Sequence, residues 1–500
     1  MSGLPNMQET SVAPAGRSVA AVPLPRIDAP ALGLIITILI AGALALLKST
    51  DPDYWWHLRT GQLIAQTHAV PTVDSYSFTA NGKAWLAHEW LSELVIYGLD
   101  QTGGYALSIL VFIAVAAGSL WLGFRTAVAL GASRWAALGT FIWATFMFGG
   151  FWVVRPQVFS WLFLSLFLAI IVEHQRGKAS LWPLPPLTVI WVNLHLGVMF
   201  GLAMVGLYAV SLWVERLLWQ ERRDVKQAFA VLAGCIIATA LTPQPGAMLL
   251  YPLRYIRPGN WSLRNISEWQ SPNFHSLDYL PLALGLLFLV AVGAFDRKRG
   301  LFFPLVTLLF AALALQSVRN IPLFAVVFMV VAAARASDLW HWAAADPKRV
   351  QGTVHSAINL AFVAAMAAVM AFAVSRYPNQ LHHAALTKDY PAAGVEYVLE
   401  HEPESNVYAT YHWGGFVIDK LPDSRVFVDG RSEFYGDDLL NTYDDVMNVS
   451  SGWQQILDRY GANVIIVEKN AGLAGALDKE PGWSRAFTGP IEAVFVRKSN

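Results

Sequence analysis

Long apolar runs broken by short polar connectors dominate the first three quarters of the chain. A bilayer crossing takes about 20 mostly apolar residues. On that ruler eleven candidate membrane helices stand out, centred near residues 40, 114, 143, 165, 188, 207, 235, 287, 308, 328 and 365. Two connectors are longer than the rest, 50–103 and 244–277. Past residue 376 the rhythm changes, and short apolar stretches alternate with charge. NVYATYHWGGFVI, RVFVDGR and NVIIVEK read as strands, while AAGVEYVLEH, DDLLNTYDDVM and GWQQILDRYG have helical spacing. The pattern predicts an α-helical polytopic membrane protein with a soluble C-terminal α/β domain: a cytoplasmic tail over 1–30, a transmembrane domain over 31–376 and an extracytoplasmic domain over 377–500.

Composition strengthens this reading. The 500 residues are 55% hydrophobic and 14% charged, with a mean hydropathy of +0.43, outside the ordinary soluble range. Formal net charge is zero, which gives no basic field for nucleic acid. The single cysteine, Cys235, excludes an intramolecular disulfide and a Cys-rich metal site. The first apolar run is long enough to span, which favours an uncleaved first helix over a signal peptide.

Lysine and arginine in the short loops set the orientation. With a cytoplasmic N-terminus, one set of alternate connectors carries Arg125 and Arg134, Arg176 and Lys178, ERRDVK at 221–226, DRKR at 296–299, and Arg335, Lys348 and Arg349. The two long connectors and the C-terminal region then face the other side, expected to be the outer face of the inner membrane.

Six arginines defy that rule: Arg59, Arg155, Arg254, Arg257, Arg264 and Arg319. Singly, each reads as snorkelling to lipid or capping of a helix end. As a set they suit a phosphate site, because the planar guanidinium pairs with phosphate oxygens. The same outer loops hold acids. Asp51 and Asp53 sit in DPDYWWHLR just after the first helix, and Asp74, His88, Glu89 and Glu93 follow. WLAHEWLSELVIYGL reads as an amphipathic helix with Trp85, Leu86, Trp90, Leu94 and Tyr97 on its interfacial face. Asp51, Asp53, His88 and Glu89 are candidate ligands for Mg²⁺ or Mn²⁺, although carboxylates at helix ends are also common without a metal. Trp55 and Trp56 read as bilayer anchors or as sugar contacts. Asn193 and His195, in WVNLHLG, read as a packing pair or as cavity residues, with His57 a further cavity candidate.

The first outer loop resembles the GT-C superfamily of membrane glycosyltransferases, and most nearly the oligosaccharyltransferase catalytic subunit. The likeness rests on Asp53, Tyr54, Trp55, Trp56, His57 and Arg59 at the family spacing, followed by GQLI and by Pro71 and Asp74. HEWLSE, WVNLHLG, EWQSPNF and VFVDGRSEFYG extend the likeness to bacterial multi-spanning proteins grouped with the glycosyltransferases. The resemblance implies transfer of a sugar or oligosaccharide from a polyprenyl phosphate or pyrophosphate donor to a glycan, lipid or protein acceptor. It makes Asp53 catalytic, and Arg59, Arg254, Arg257, Arg264 and Arg319 candidates for the donor phosphate. The family carries WWDYG in its last domain to hold the acceptor. Tyr411, His412 and Trp413, ahead of Gly414 and Gly415, echo that motif without its Asp, so recognition of an Asn-x-Ser/Thr acceptor does not carry over. Tyr411 and Trp413 remain acceptor or cavity candidates. Two other readings compete: a transporter or flippase, which would carry repeat symmetry that the chain lacks, and a non-catalytic envelope polysaccharide assembly protein.

Overall fold

The computed structural model describes residues 28–46, 50–219, 224–246, 251, 260–293, 299–340 and 386–498, with positions 360, 361, 364 and 368. Helices follow the apolar runs: α1 (Ala29–Leu46), α2 (Tyr54–Thr67), α3 (Trp90–Ala129), α4 (Arg134–Phe148), α5 (Gln157–Gln175), α6 (Leu184–Leu194), α7 (Val198–Trp219) and α8 (Val225–Ala238). Then come the short α9 (Trp261–Asn265), and α10 (Leu280–Val292), α11 (Phe302–Gln316) and α12 (Ile321–Trp340). Polar residues start some of them. Ser133 accepts from Ala136 N–H ahead of α4, and Asp224 accepts from Gln227 N–H ahead of α8.

Among the described residues, five helices are long and apolar enough to cross a membrane: Ala29–Leu46, Trp90–Ala129, Gln157–Gln175, Val198–Trp219 and Val318–Leu339. Four more apolar helices are shorter. Ten of the eleven predicted centres therefore fall on helices, without fixing the number of spans. The eleventh, near 365, the tail up to residue 27 and the 376/377 boundary lie largely or wholly outside the described residues. Helix α12 is the axis of the bundle, with Phe324 to Val330 fully buried against α3, α4, α5, α10 and α11. Outer helices leave Phe146, Leu218, Ile237, Leu287 and Val290 exposed, apolar surface that suits lipid.

Helix α3 is two segments. Gly103 and Gly104 interrupt it, and Gly104 takes φ 65° and ψ −168°, a conformation that only glycine holds without steric cost. The outer segment, residues 90–102, thus departs from the spanning segment. The expected helix over WLAHEWLSELVIYGL starts late, at Trp90, because Trp85 to Ala87 are irregular and His88 and Glu89 form a turn, and Trp85 is buried rather than interfacial.

The C-terminal region is α/β. Strands β1 (Asn406–Ala409), β2 (Arg425–Val426), β3 (Val464–Glu468), β4 (Trp483–Thr488) and β5 (Glu492–Arg497) form one sheet in the order β2-β1-β3-β5-β4. The first three pair in parallel, and β5 runs antiparallel to both β3 and β4. Helices α13 (Ala392–His401), α14 (Gly414–Lys420), α15 (Ser432–Tyr435), α16 (Asp437–Met447), α17 (Trp453–Tyr460) and α18 (Gly472–Leu477) complete it. NVYATYHWGGFVI is a strand only over its first four residues, after which GGFVIDK turns into α14. The first outer loop joins this sheet. Ser77 bridges Val426, Val426 N–H donates to Tyr76 O at 2.9 Å, and Phe78 N–H donates to Val426 O at 3.1 Å. Helix α14 packs on α2, which seats the α/β region over the start of α2.

Candidate active site

Asp51 and Asp53 lie in the turn between α1 and α2, where the Asp53 N–H donates to Asp51 Oδ1 at 3.0 Å. Their partner comes from the turn before α5. Arg155 reaches Asp51 Oδ1 through Nε at 3.0 Å, Asp53 Oδ2 through Nη2, and Glu268 Oε2 through Nη1 at 2.6 Å. Trp56 Nε1–H donates to Asp53 Oδ1 at 3.1 Å. One guanidinium thus gathers three carboxylates from two separate loops, neither of them its own. Burial pushes the Asp51 carboxyl up to about 7 against the pull of Arg155, with Asp53 and Glu268 adding repulsion. Glu268 goes the other way: Arg155 and Arg319 outweigh its burial and hold it below the usual carboxylate range. The Arg319 guanidinium lies 4.2 Å from the Trp269 ring centroid, beside this cluster.

Glycines of the α/β region close over the motif. A Cβ on Gly430 would stand 2.1 Å from Asp53 Oδ1, and one on Gly415 would stand 2.9 Å from Pro52 O. Next to Gly430, Arg431 is fully buried. It binds Asp429 through Nε and Nη2 at 2.8 and 2.6 Å, and Asp74 of the first loop through Nη2 at 2.8 Å. Its guanidinium also stacks near Trp85, 4.6 Å from the ring. VFVDGR therefore does more than end a strand, since it fastens the two halves of the site together.

A second cluster lies behind the first. His57 is buried between Glu93 Oε1, 3.4 Å from Nδ1, and Glu89 Oε2, 3.7 Å from Nε2. Glu89 Oε1 also faces His88 Nε2 at 3.7 Å and His195 Nε2 at 3.3 Å. The His195 tautomer follows from its neighbours. Gly197 N–H donates to Nδ1 at 2.9 Å, so neutral His195 carries its hydrogen on Nε2 and presents it to Glu89. Burial lowers the imidazoles of His57 and His195 and raises Glu89 to about 7 and Glu93 well above the carboxylate range.

The expected Mg²⁺ or Mn²⁺ ligand set is not assembled. Asp51 and Asp53 turn to Arg155, whereas His88 and Glu89 belong to the imidazole cluster. Among the described residues, no group of three or more His, Cys, Asp or Glu side chains is arranged to hold a metal ion.

Other candidates scatter. Trp55 is core, edge-on to Tyr54, Tyr390 and Phe416, and Trp56 is buried as the brace of Asp53. Neither is a bilayer anchor, because the α/β region covers both. Asn193 is a packing residue: it accepts from Trp90 Nε1–H and donates to the carbonyls of Val189 and Leu241. Arg59 bonds Gln62 on its own helix, and Arg264, exposed, bonds Asn441, so neither joins the Asp53 cluster. Arg254 and Arg257 lie outside the described residues. Tyr411 packs on Trp261, and Trp413 is buried with Nε1–H on the Asp389 carbonyl. Local patterning missed Glu268 and marked Arg155 only as one of six arginines suited to a phosphate, not as the partner of Asp51 and Asp53. Their signal was faint: an arginine on the wrong side of the membrane beside WVV, and an acid in the EWQSPNF loop.

No protein-family model matches the chain, and no curated protein matches it in sequence. In three dimensions it is similar to the Archaeoglobus fulgidus oligosaccharyltransferase tethered with an acceptor peptide containing the NVT sequon, at 11% identity over 92% of this chain and 74% of that one, with a TM-score of 0.54. It is also similar to ArnT from Cupriavidus metallidurans in the apo state, at 12% identity over 92% and 96% of the two chains, with a TM-score of 0.50. ArnT bound to undecaprenyl phosphate gives 12% identity, 92% and 97%, and a TM-score of 0.48. At these identities the likeness is one of fold alone, shared with the oligosaccharyltransferase and with ArnT.

Proposed function

We propose that the protein transfers a sugar or oligosaccharide from a polyprenyl phosphate or pyrophosphate carrier to an acceptor at the outer face of the inner membrane, with its N-terminus in the cytoplasm. The observation that carries this reading is the fixation of Asp53 by Arg155 and Trp56 beneath Gly430. A GT-C fold supplies the context. In the reaction the bond between the anomeric carbon and the carrier phosphate breaks and the phosphate leaves with the electron pair. A bond forms from that carbon to the acceptor heteroatom, whose proton goes to a carboxylate. Asp53, immobilised by two donors, orients the acceptor. Asp51, titrating at about 7, takes the proton. Arg319 faces the developing phosphate charge, where loss of one such donor costs about 3 kcal/mol. With its carboxylates bound to Arg155, the site needs no divalent ion for these roles.

The test is release of the lipid carrier from sugar donors by the purified protein, with Asp53→Ala alongside and with and without EDTA. Release should fall to background in Asp53→Ala and be indifferent to EDTA. Equal release by the mutant would remove Asp53 from the chemistry, and loss with EDTA would restore the metal.

A further inference from the structure

A cleft of about 520 Å³ opens where the α/β region meets the first outer loop, and the reaction scheme above does not use it. Its size falls within the roughly 300–1,000 Å³ typical of small-ligand sites. Topology makes the place significant. The chain leaves β1 for β2 on one side, then returns to β3 on the other side of β1. In open sheets of parallel strands, ligands sit outside the carboxyl ends of strands whose connections part in this way. Here His412 and Trp413 follow β1, Glu468 ends β3, and Lys469 and Asn470 follow it, and all five line the cleft.

The lining selects a class of ligand. Lys388 and Lys469 balance Asp389 and Glu468, so the cleft carries no formal excess of either sign. A pyrophosphate would call for net positive charge, and a basic peptide for net negative. Side chains that donate and side chains that accept alternate around a small volume, which matches a neutral molecule dense in hydroxyl groups. The accessible apolar wall, from Pro52, Pro490 and Ile491, is of the kind that meets the C–H face of a sugar ring, with the Tyr390 and Trp413 rings buried beneath it. Tyr390 spends its hydroxyl on the Thr50 carbonyl at 2.7 Å, and Trp413 spends its Nε1–H on Asp389 O at 3.0 Å, so neither offers its polar atom to the cleft. His412, Glu468 and Asn470 are exposed at the rim, which lets a longer chain continue into solvent.

We infer that this cleft binds a neutral oligosaccharide, the glycan portion of the acceptor. The word acceptor rests on the transferase reading, whereas saccharide binding does not. Pro52 forms part of the wall and lies between Asp51 and Asp53 in the chain. A saccharide seated there ends next to the carboxylates that Arg155 gathers.

Saturation-transfer NMR on the full-length protein in nanodiscs, free of sugar detergents, tests this. The probes are maltotriose, cellotriose, chitotriose and mannotriose, with inorganic pyrophosphate and an Asn-Val-Thr peptide as counter-probes. At least one trisaccharide should bind saturably, and Asp389→Asn with Glu468→Gln should weaken it about tenfold or more. Both positions are solvent-accessible, so the fold should survive, which circular dichroism checks. Absence of saturable trisaccharide binding, binding indifferent to both substitutions, or binding of pyrophosphate or the peptide instead would overturn the inference. Asp53→Ala should keep saccharide binding while losing carrier release. Saccharide binding by a wild-type protein that cleaves no donor would sink the transferase reading and leave the cleft standing.

Discussion

Replacing Gly430 by alanine probes the contact between the two halves of the site with a single methyl group. The added Cβ would lie 2.1 Å from Asp53 Oδ1 and 3.2 Å from Trp56 Nε1, where ordinary contact begins at 3.4 Å. Something must retreat by about 1.3 Å. Asp53 resists, because Arg155 holds one carboxylate oxygen and Trp56 the other. The displacement therefore falls on the acceptor-orienting carboxylate or on the strand-end loop that carries Gly430. A misplacement of about 1 Å at a reacting group costs on the order of 100-fold in rate, and overpacking costs about 1–3 kcal/mol in stability. Initial rates of lipid-carrier release should fall about 100-fold in Gly430→Ala, with a modest drop in the thermal midpoint. Gly475→Ala is the control, since a Cβ there meets nothing within 4 Å, and it should leave the rate unchanged. The double variant with Asp53→Ala should be no slower than Asp53→Ala alone, because both remove the same interaction. A folded Gly430→Ala protein within twofold of the wild-type rate would refute the claim that this loop shapes the site.

Three further outcomes follow from the same geometry. Arg155→Met leaves Asp51, Asp53 and Glu268 without their shared cation, which should cost about 3–5 kcal/mol, read as a lower thermal midpoint, and Arg155→Lys should restore stability in part without restoring carrier release, because one ammonium cannot reach all three carboxylates as the fork does. Asp51 titrates at about 7 when folded against 3.8 ordinarily, so the folded form binds the extra proton between those values. Its contribution to stability is full below about 3.8 and is lost as pH rises through about 7; Asp51→Asn should flatten that part of the stability profile and remove the rise in carrier release through pH 7. Arg431→Met should lower the thermal midpoint severely, by about 3–5 kcal/mol in stability, because it strands Asp74 and Asp429 in the interior; a change under 1 kcal/mol would show that the buried pairing is not what holds the halves together.

What could be read in advance follows the range of each interaction. Apolar runs placed the helices because lipid-soluble length is a local property, and DPDYWWHLR stood out because its unusual residues are adjacent. The likeness to oligosaccharyltransferase expected from that loop is met at the level of the fold. Arg155, in contrast, meets Asp53 across 102 residues and Glu268 across 113, and no local spacing encodes such pairings. Trp55 and Trp56 looked interfacial because tryptophans near a membrane usually are, yet a region more than 330 residues downstream covers them. Gly430 carries no local signal of its role, which depends on what it faces rather than on its own backbone. Strands β4 and β5 went unnoticed: WSRAFT is half polar without strict alternation, and EAVFVR is too short to stand out.

The bond between Arg431 and Asp74 spans 357 residues, and it bears on how the molecule is made. Asp53 emerges from the ribosome long before the loop at Gly430 that roofs it. Chains fold largely in the order they are made, so the membrane part waits with an open, unroofed motif until the final sheet arrives. A ribosome that stalls before residue 406 would leave a protein whose early carboxylates Arg155 can gather but nothing roofs, which ties the onset of activity to synthesis of the α/β region.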